Sequence, residues 1–256
     1  MLSPQAWHRR FTQQARWTEQ LRAYLYGRLD LPAARRVLEV GCGTGAVLSG
    51  LPAYTRSQIF GIDIDLPRLQ VARQAVPAAA LAAADGLRLP FPAGTFDAVV
   101  CHFYLLWMPD AARAVAEMAR VTRPGGWVAA LAEPDYGGRI DHPAALAELG
   151  QMQGRALARQ GADPLAGRKL AGLFHAAGLV DVRAGVLGGE WGPPPEPEAW
   201  ESEWAVLEED LRGQVSSEEL QELRRLDAAA WEHGERVLFV PTFYAVGMVG
   251  EKLNHE

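Results

Sequence analysis

The sequence predicts an α/β protein built on a doubly wound, mainly parallel sheet, with an N-terminal helix and a helical cap insert. Three observations predict this class. A short apolar run, Val37-Leu38-Glu39-Val40, stops at a glycine-rich turn, Gly41-Cys42-Gly43-Thr44-Gly45. Further apolar runs then alternate with helical patterns as far as Ala132, which is the pattern of βαβ units. An acidic stretch of helical spacing, residues 196–235, precedes one last apolar run at 242–249.

The elements follow in order. Over residues 5–29, Trp7, Phe11, Trp17, Leu21, Tyr24, Leu25 and Leu29 recur at helical spacing, with arginines on much of the other face. This predicts one helix, closed by Leu31-Pro32. Val37 to Val40 reads as a buried parallel strand, and a helix is expected from about Thr44 and Ala46. Residues 57–63 form a second strand, and 67–75 a helix with Pro67 at a tolerated early position. Strands follow at 80–84 and 95–101. Residues 110–121 form a helix whose inner face holds Ala114, Val115, Met118 and Val121. Arg123-Pro124-Gly125-Gly126 reads as a turn into a fifth strand at 127–132.

The second half predicts helices at 143–159 and 164–177 and a sixth strand at 179–187. Gly192-Pro193-Pro194-Pro195 marks a break. The acidic stretch carries apolar anchors at Trp200, Trp204, Leu207, Leu211, Leu220, Leu223, Leu226 and Trp231. The expected organisation is one domain over 1–256, with a ligand-binding core at 30–135 and a helical insert at 190–235.

A chain of 256 residues can bury one sizeable core with a cap. A net charge of −6 argues against a nucleic-acid binder with a broad basic surface. Two cysteines, Cys42 and Cys101, make neither a disulfide framework nor a metal-ligand pattern. No metal is expected, and a reducing cytoplasm is the simplest compartment. No apolar signal core follows the first residues, and no stretch approaches the roughly 18 apolar residues of a membrane span. Neither a membrane nor a nucleic acid is therefore an expected partner.

The chemistry concentrates at strand ends. Three alternating glycines suit a backbone that takes unusual dihedrals close to a ligand. Free N–H groups at a following helix would favour an anionic group. The spacing is G-x-G-x-G after an acid, Glu39, rather than the G-x-G-x-x-G of dinucleotide folds. Asp63 ends the second strand about 20 residues on, where a carboxylate can accept from both hydroxyls of a ribose. Ile64 beside it could lie against an adenine face, and Asp65 is the better placed to cap the next helix. In Ala84-Asp85-Gly86, Asp85 could accept from an adenine amino group while Gly86 admits the ring. Asp-Gly is also an ordinary turn.

These motifs resemble those of the class I S-adenosylmethionine (SAM)-dependent methyltransferases of small molecules, the methyltransferase type 11 group. Leu89-Pro90-Phe91, Phe96-Asp97 and Arg120-Val-Thr-Arg-Pro-Gly-Gly-Trp127 are in register with that family. The resemblance covers residues 36–133. It implies a Rossmann-like, seven-stranded sheet with an antiparallel last strand, and SAM as cofactor. Glu39, Gly41, Gly43 and Gly45 match its loop beneath the methionine part; Cys42, also expected at the cofactor, stands where many members carry a small apolar residue. Asp63 matches the ribose-binding acid and Asp85 the adenine-binding one, with Ile64, Ala84 and Gly86 beside them as further expected cofactor contacts. Cys101, His102 and Phe103 match the strand end beside the cofactor. Cys42 reads as a small core residue, not a nucleophile.

Methyl transfer asks the protein to orient an acceptor and exclude water, with a base only where the acceptor must lose a proton. His102 is either that base or a wall. Tyr104 and Trp107 either line the substrate pocket or belong to the core. Asp135, Tyr136 and Arg139 follow the fifth strand, where open sheets bind ligands. They are candidates for substrate contact, with Tyr136 also a catalytic candidate. The alternative is a structured loop in which Arg139 pairs with Asp135. The reading is a SAM-dependent methyltransferase acting on a small molecule. A protein methyltransferase, or a SAM- or nucleotide-binding module without catalysis, stays open. A nicotinamide dehydrogenase is disfavoured by the glycine spacing.

Overall fold

Alternate residues of one strand face two different cores. In β4 (Phe96–Cys101), Ala98 and Val100 pack into one cluster while Val99 and Cys101 pack into the other. The sheet is therefore covered on both faces, as a period of two requires. The computed structural model describes residues 3–186 and 194–251. Its main sheet has seven strands: β1 (Arg36–Val40), β2 (Gln58–Asp63), β3 (Ala80–Ala83), β4, β5 (Thr122–Pro134), β7 (Leu179–Val186) and β9 (Thr242–Val249). Their order is β3-β2-β1-β4-β5-β9-β7. Parallel pairing runs from β3 to β5, and β9 lies antiparallel to both β5 and β7. The fold is thus a Rossmann-like doubly wound sheet with an antiparallel last strand.

On one face, Leu21 and Leu25 of α2 (Glu19–Tyr26) and Leu69 of α3 (Leu66–Ala75) pack against Val37 and Val100. On the other, Met118 of α4 (Ala111–Val121) and Phe174 of α6 (Ala166–Ala176) pack against Leu38 and Val99. Asp65 caps α3 by accepting from Arg68 N at 3.0 Å, and Asp110 caps α4 through Arg113 N at 2.9 Å.

The cap is a separate small core. Leu149 and Ala156 of α5 (Ala147–Arg159), Trp204, Leu207 and Leu211 at α7 (Pro197–Asp210), and Leu223 and Ala230 of α8 (Ser217–Glu232) are buried together. A two-stranded ribbon of β6 (Ile140–His142) and β8 (Val237–Phe239) joins it to the sheet. The cap therefore draws on α5 as well as the acidic stretch. The start of the 190–235 insert, the Gly192–Pro193 part of the expected break and Leu187 of the sixth strand lie outside the described residues. Among the described residues no helix is long and apolar enough to cross a membrane.

Three expectations fail. The N-terminal helix is two, α1 (Pro4–Trp17) and α2, broken at Thr18 with φ −105 and ψ 10. The Thr18 side chain there bonds the Ala15 carbonyl and the His102 ring, which competes with helix continuation. No α-helix follows the glycine turn. A six-residue 3-10 segment, Leu48–Ala53, stands in its place and contains Pro52. Proline removes a donor that a regular helix needs. Residues 123–126 are not a turn before the strand, because β5 already starts at Thr122, opposite Phe96.

Candidate active site

The site lies at the carboxyl ends of the parallel strands. Gly41, Gly43 and Gly45 all take positive φ, at 72°, 52° and 81°, which L side chains rarely adopt. The loop is held from below by Asp63 at the end of β2. Asp63 Oδ2 accepts from Gly43 N at 2.8 Å, and Oδ1 from Asp65 N at 2.8 Å. Ile64 projects beside it, 77% exposed. Asp85 Oδ1 accepts from Leu87 N at 2.9 Å, so the Asp-Gly turn forms at the cleft. A Cβ on Gly41 or on Gly86 would strike the Tyr104 side chain. The bare backbones of two loops thus close on one ring.

Glu39 is 2% exposed, and its Oε2 has no hydrogen-bond partner. Burial pushes its carboxyl up to about 8; the Arg22 charge pulls down and Asp63 pushes up. Cys42 borders the cleft but is 4% exposed. Burial, with Glu39 and Asp63, raises its thiol well above the ordinary range, so it carries no thiolate.

The end of β4 turns under strain. Phe103 is non-glycine yet has φ 48°, a conformation that persists only where the surroundings impose it. Here Glu133, fully buried at the end of β5, accepts from the backbone N–H groups of Tyr104, Leu105 and Leu106 at 2.9, 2.9 and 3.2 Å. Trp107 emerges from this turn 43% exposed against the cleft, so it is wall rather than core. His102 Nε2 lies 2.8 Å from Thr18 Oγ1. Burial, then the Arg22 charge, holds its imidazole down to about 3. A neutral ring of such low basicity is a poor proton acceptor, and the ring borders the cleft.

Three candidates lie away from the cleft surface. Cys101 is fully buried in the sheet core rather than beside the cofactor. Gly45 faces Ala72 of α3 and serves helix packing. Asp135 is 1% exposed and pairs with Arg168 at 2.5 Å. Burial alone would raise its carboxyl, but the Arg168 hydrogen bonds hold it below the usual carboxylate range. Arg139 therefore does not pair with Asp135. Its Nε meets Asp141 Oδ2 at 2.6 Å, and its Nη1 meets Gln153 Oε1 at 2.5 Å.

Beyond the loop opens a chamber that sequence reading missed. A continuous cleft of about 1360 Å³ runs from the glycine turn to the cap. Its far end holds a linked polar wall. Arg236 bonds Asp141 at 2.8 Å and Asp227 at 2.6 Å. Asp227 in turn accepts both indole N–H groups, Trp200 at 2.7 Å and Trp204 at 3.0 Å. Tyr136 faces this end, and burial with the Glu203 charge pushes its phenol up to about 12. Arg10, expected on the outer face of the N-terminal helix, is 4% exposed and pairs with Glu203 at 2.5 Å. The signal for this wall was the pair of acids, Glu203 and Asp210, set on the apolar stripe of Trp200, Trp204, Leu207 and Leu211.

A glycine loop backed by two strand-end acids at the switch point of a doubly wound sheet, under a helical cap, defines a nucleoside-binding Rossmann-like protein. Residues 38–130 match the family described as a methyltransferase domain. Methyltransferase GfsG of Streptomyces halstedii is 36% identical over 117 residues, 43% of this chain and 42% of that one. The alignment thus spans less than half of that relative. Demethylmenaquinone methyltransferase of Geobacillus kaustophilus is 29% identical over 192 residues, covering 67% and 80%. The YcgJ protein of Bacillus subtilis shares the fold, with a TM-score of 0.59 at 18% identity over 91% of this chain and 99% of that one. Over these residues the chain is similar to the class I SAM-dependent methyltransferases, a family whose cofactor is SAM.

The residues present fit that cofactor. The orphaned Glu39 carboxyl suits an ammonium group, and Asp63, Ile64 and Asp85 border the same cleft, where a nucleoside can meet two carboxylates and an apolar side chain.

Proposed function

We propose that this chain transfers the methyl group of SAM to a small-molecule acceptor held in the capped chamber. One observation carries the reading: the cleft that begins at the glycine turn continues into the cap without a break. At about 1360 Å³ it exceeds the range of roughly 300–1,000 Å³ usual for a single ligand. It therefore suits a cofactor and an acceptor side by side. The named substrates of relatives point the same way, including demethylmenaquinone and trans-aconitate.

SAM supplies a methyl group already activated on a sulfonium. The chain's own residues bind, orient and exclude water. Glu39 takes the ammonium of the amino-acid part, Asp63 the ribose hydroxyls, and Asp85 the adenine amino group, with Ile64 against the ring. Phe103, Trp107 and Tyr136 line the acceptor side. The 30–135 stretch serves as the cofactor core and the 190–235 stretch as cap. No base is assigned to His102. Net charge −6 and the free, buried Cys42 and Cys101 suit a cytoplasmic protein without nucleic-acid substrates.

The test incubates the protein with methyl-labelled SAM and a metabolite extract. Label in a small product is expected. Label confined to protein, or SAM binding with no transfer, would overturn the reading.

A further inference from the structure

α7 presents a stripe of acid, apolar and acid residues to the chamber. Glu203, Val206, Leu207 and Asp210 stand three, four and seven positions apart and all border the cleft. That spacing puts them on one helix face. The two acids are roughly 10 Å apart along the axis, at about 1.5 Å per residue.

The two ends are not equivalent. Glu203 is neutralised by Arg10. Asp210 meets only amides, Gln153 Nε2 at 3.3 Å and Gln160 Nε2 at 2.9 Å. Among the described residues no cation pairs with it. The nearby cations are already engaged, Arg139 with Asp141, and Arg236 with Asp141 and Asp227. At the Asp210 end, Arg139 and Arg236 thus meet Asp141, Asp227 and Asp210, two guanidinium groups against three carboxylates, which leaves one negative charge in excess. Asp210 is half-buried, and a partly desolvated charge gains from a counter-charge placed beside it.

A second sign comes from Arg10. It is 4% exposed, yet its Nε has no acceptor. A buried donor left without an acceptor is unfavourable. Asp210 thus lacks a cation and Arg10 Nε an acceptor, with Val206 and Leu207 on the helix face between Asp210 and the Glu203 that Arg10 holds.

Resting on the methyltransferase reading above, we propose that the chamber takes an apolar acceptor carrying a protonated amine, which pairs with Asp210, and an oxygen directed toward Arg10. The same charge excess disfavours anionic acceptors.

The test uses the full chain saturated with S-adenosylhomocysteine. Calorimetry compares tyramine, tyrosol and 4-hydroxyphenylacetate, which share one phenol and differ in a cationic, neutral or anionic tail. Tyramine should bind at least tenfold more tightly than either other probe. Asp210→Asn should remove that preference while S-adenosylhomocysteine still binds as in the wild type. Equal binding of the three, tighter binding of the carboxylate, no binding of tyramine, or a preference that survives Asp210→Asn would each overturn the proposal. If Asp210→Asn does not fold, the wild-type series alone decides. A wild-type chain that fails to bind S-adenosylhomocysteine would instead refute the methyltransferase reading itself.

Discussion

Glu133 accepts the backbone N–H groups of both Tyr104 and Leu105 at 2.9 Å. One buried carboxylate on β5 thereby fixes the cleft wall that β4 turns into. Glu133→Ala leaves these two donors and that of Leu106 without an acceptor, at about 1–3 kcal/mol each. At the lower bound of about 3 kcal/mol in total, the thermal midpoint should fall by roughly 6–12 °C, at about 2–4 °C per kcal/mol for a chain of this size. Glu133→Gln keeps one oxygen and should lose about half as much. An unchanged midpoint in Glu133→Ala would refute this role.

Stability should also depend on pH. Burial pushes Glu133 up to about 7 and Glu39 up to about 8, from an ordinary value of 4.5. The fold thus favours the protonated forms. Their contribution is complete below about pH 4.5 and is lost as pH rises through about 7 and 8. The midpoint of the ligand-free protein should decline over that window, and Glu39→Gln with Glu133→Gln should flatten the decline. A midpoint that climbs from pH 5 to 8 and ignores both substitutions would contradict it.

Cofactor binding should release protons. Glu39 is largely protonated near neutral pH, and an ammonium beside it favours the charged form. Titration with S-adenosylhomocysteine in buffers of different ionisation enthalpy should show net release, approaching one proton at pH 7. Glu39→Gln should abolish it. Proton uptake would show that the ammonium sits elsewhere.

Asp63→Ala should weaken SAM binding by about 10- to 100-fold, since a hydrogen bond to a charged group is worth about 1.5–3 kcal/mol. It also frees Gly43 N, so the loop loses its support. Equal SAM affinity in the variant would refute the assignment.

Tyr104 and Gly86 should behave as a coupled pair. The nearest obstacle to a Cβ on Gly86 is the Tyr104 hydroxyl, which is itself buried without a partner. Tyr104→Phe should be neutral or stabilising by about 1 kcal/mol. Gly86→Ala should be destabilising alone and partly rescued by Tyr104→Phe, which a double-mutant cycle measures. Strict additivity would show that the two do not touch.

The cofactor half was legible because its chemistry is local. Gly41, Gly43 and Gly45 need their conformations whatever surrounds them, and Asp63 sits at a strand end fixed by its own alternation. The cap side of the cleft was not legible because its contacts are remote in sequence. Arg10 looked like an outward arginine until a cap residue 193 positions away paired with it. Arg139 and Asp135 are four apart and looked like partners, but Asp135 answers to Arg168 on α6. The helix expected after Thr44 failed because Pro52 outweighs the local pattern. The hinge at Thr18 depends on His102, 84 positions on.

One helix touches both ligands' compartments. His8 Nδ1 lies 2.9 Å from Thr44 Oγ1 and Phe11 stands over Gly43, while Gln13 Nε2 donates to the Ala199 carbonyl at 3.0 Å and Arg10 grips Glu203. The glycine turn and the cap are therefore moored to one helix, and a substitution that loosens α1 would unsettle both at once.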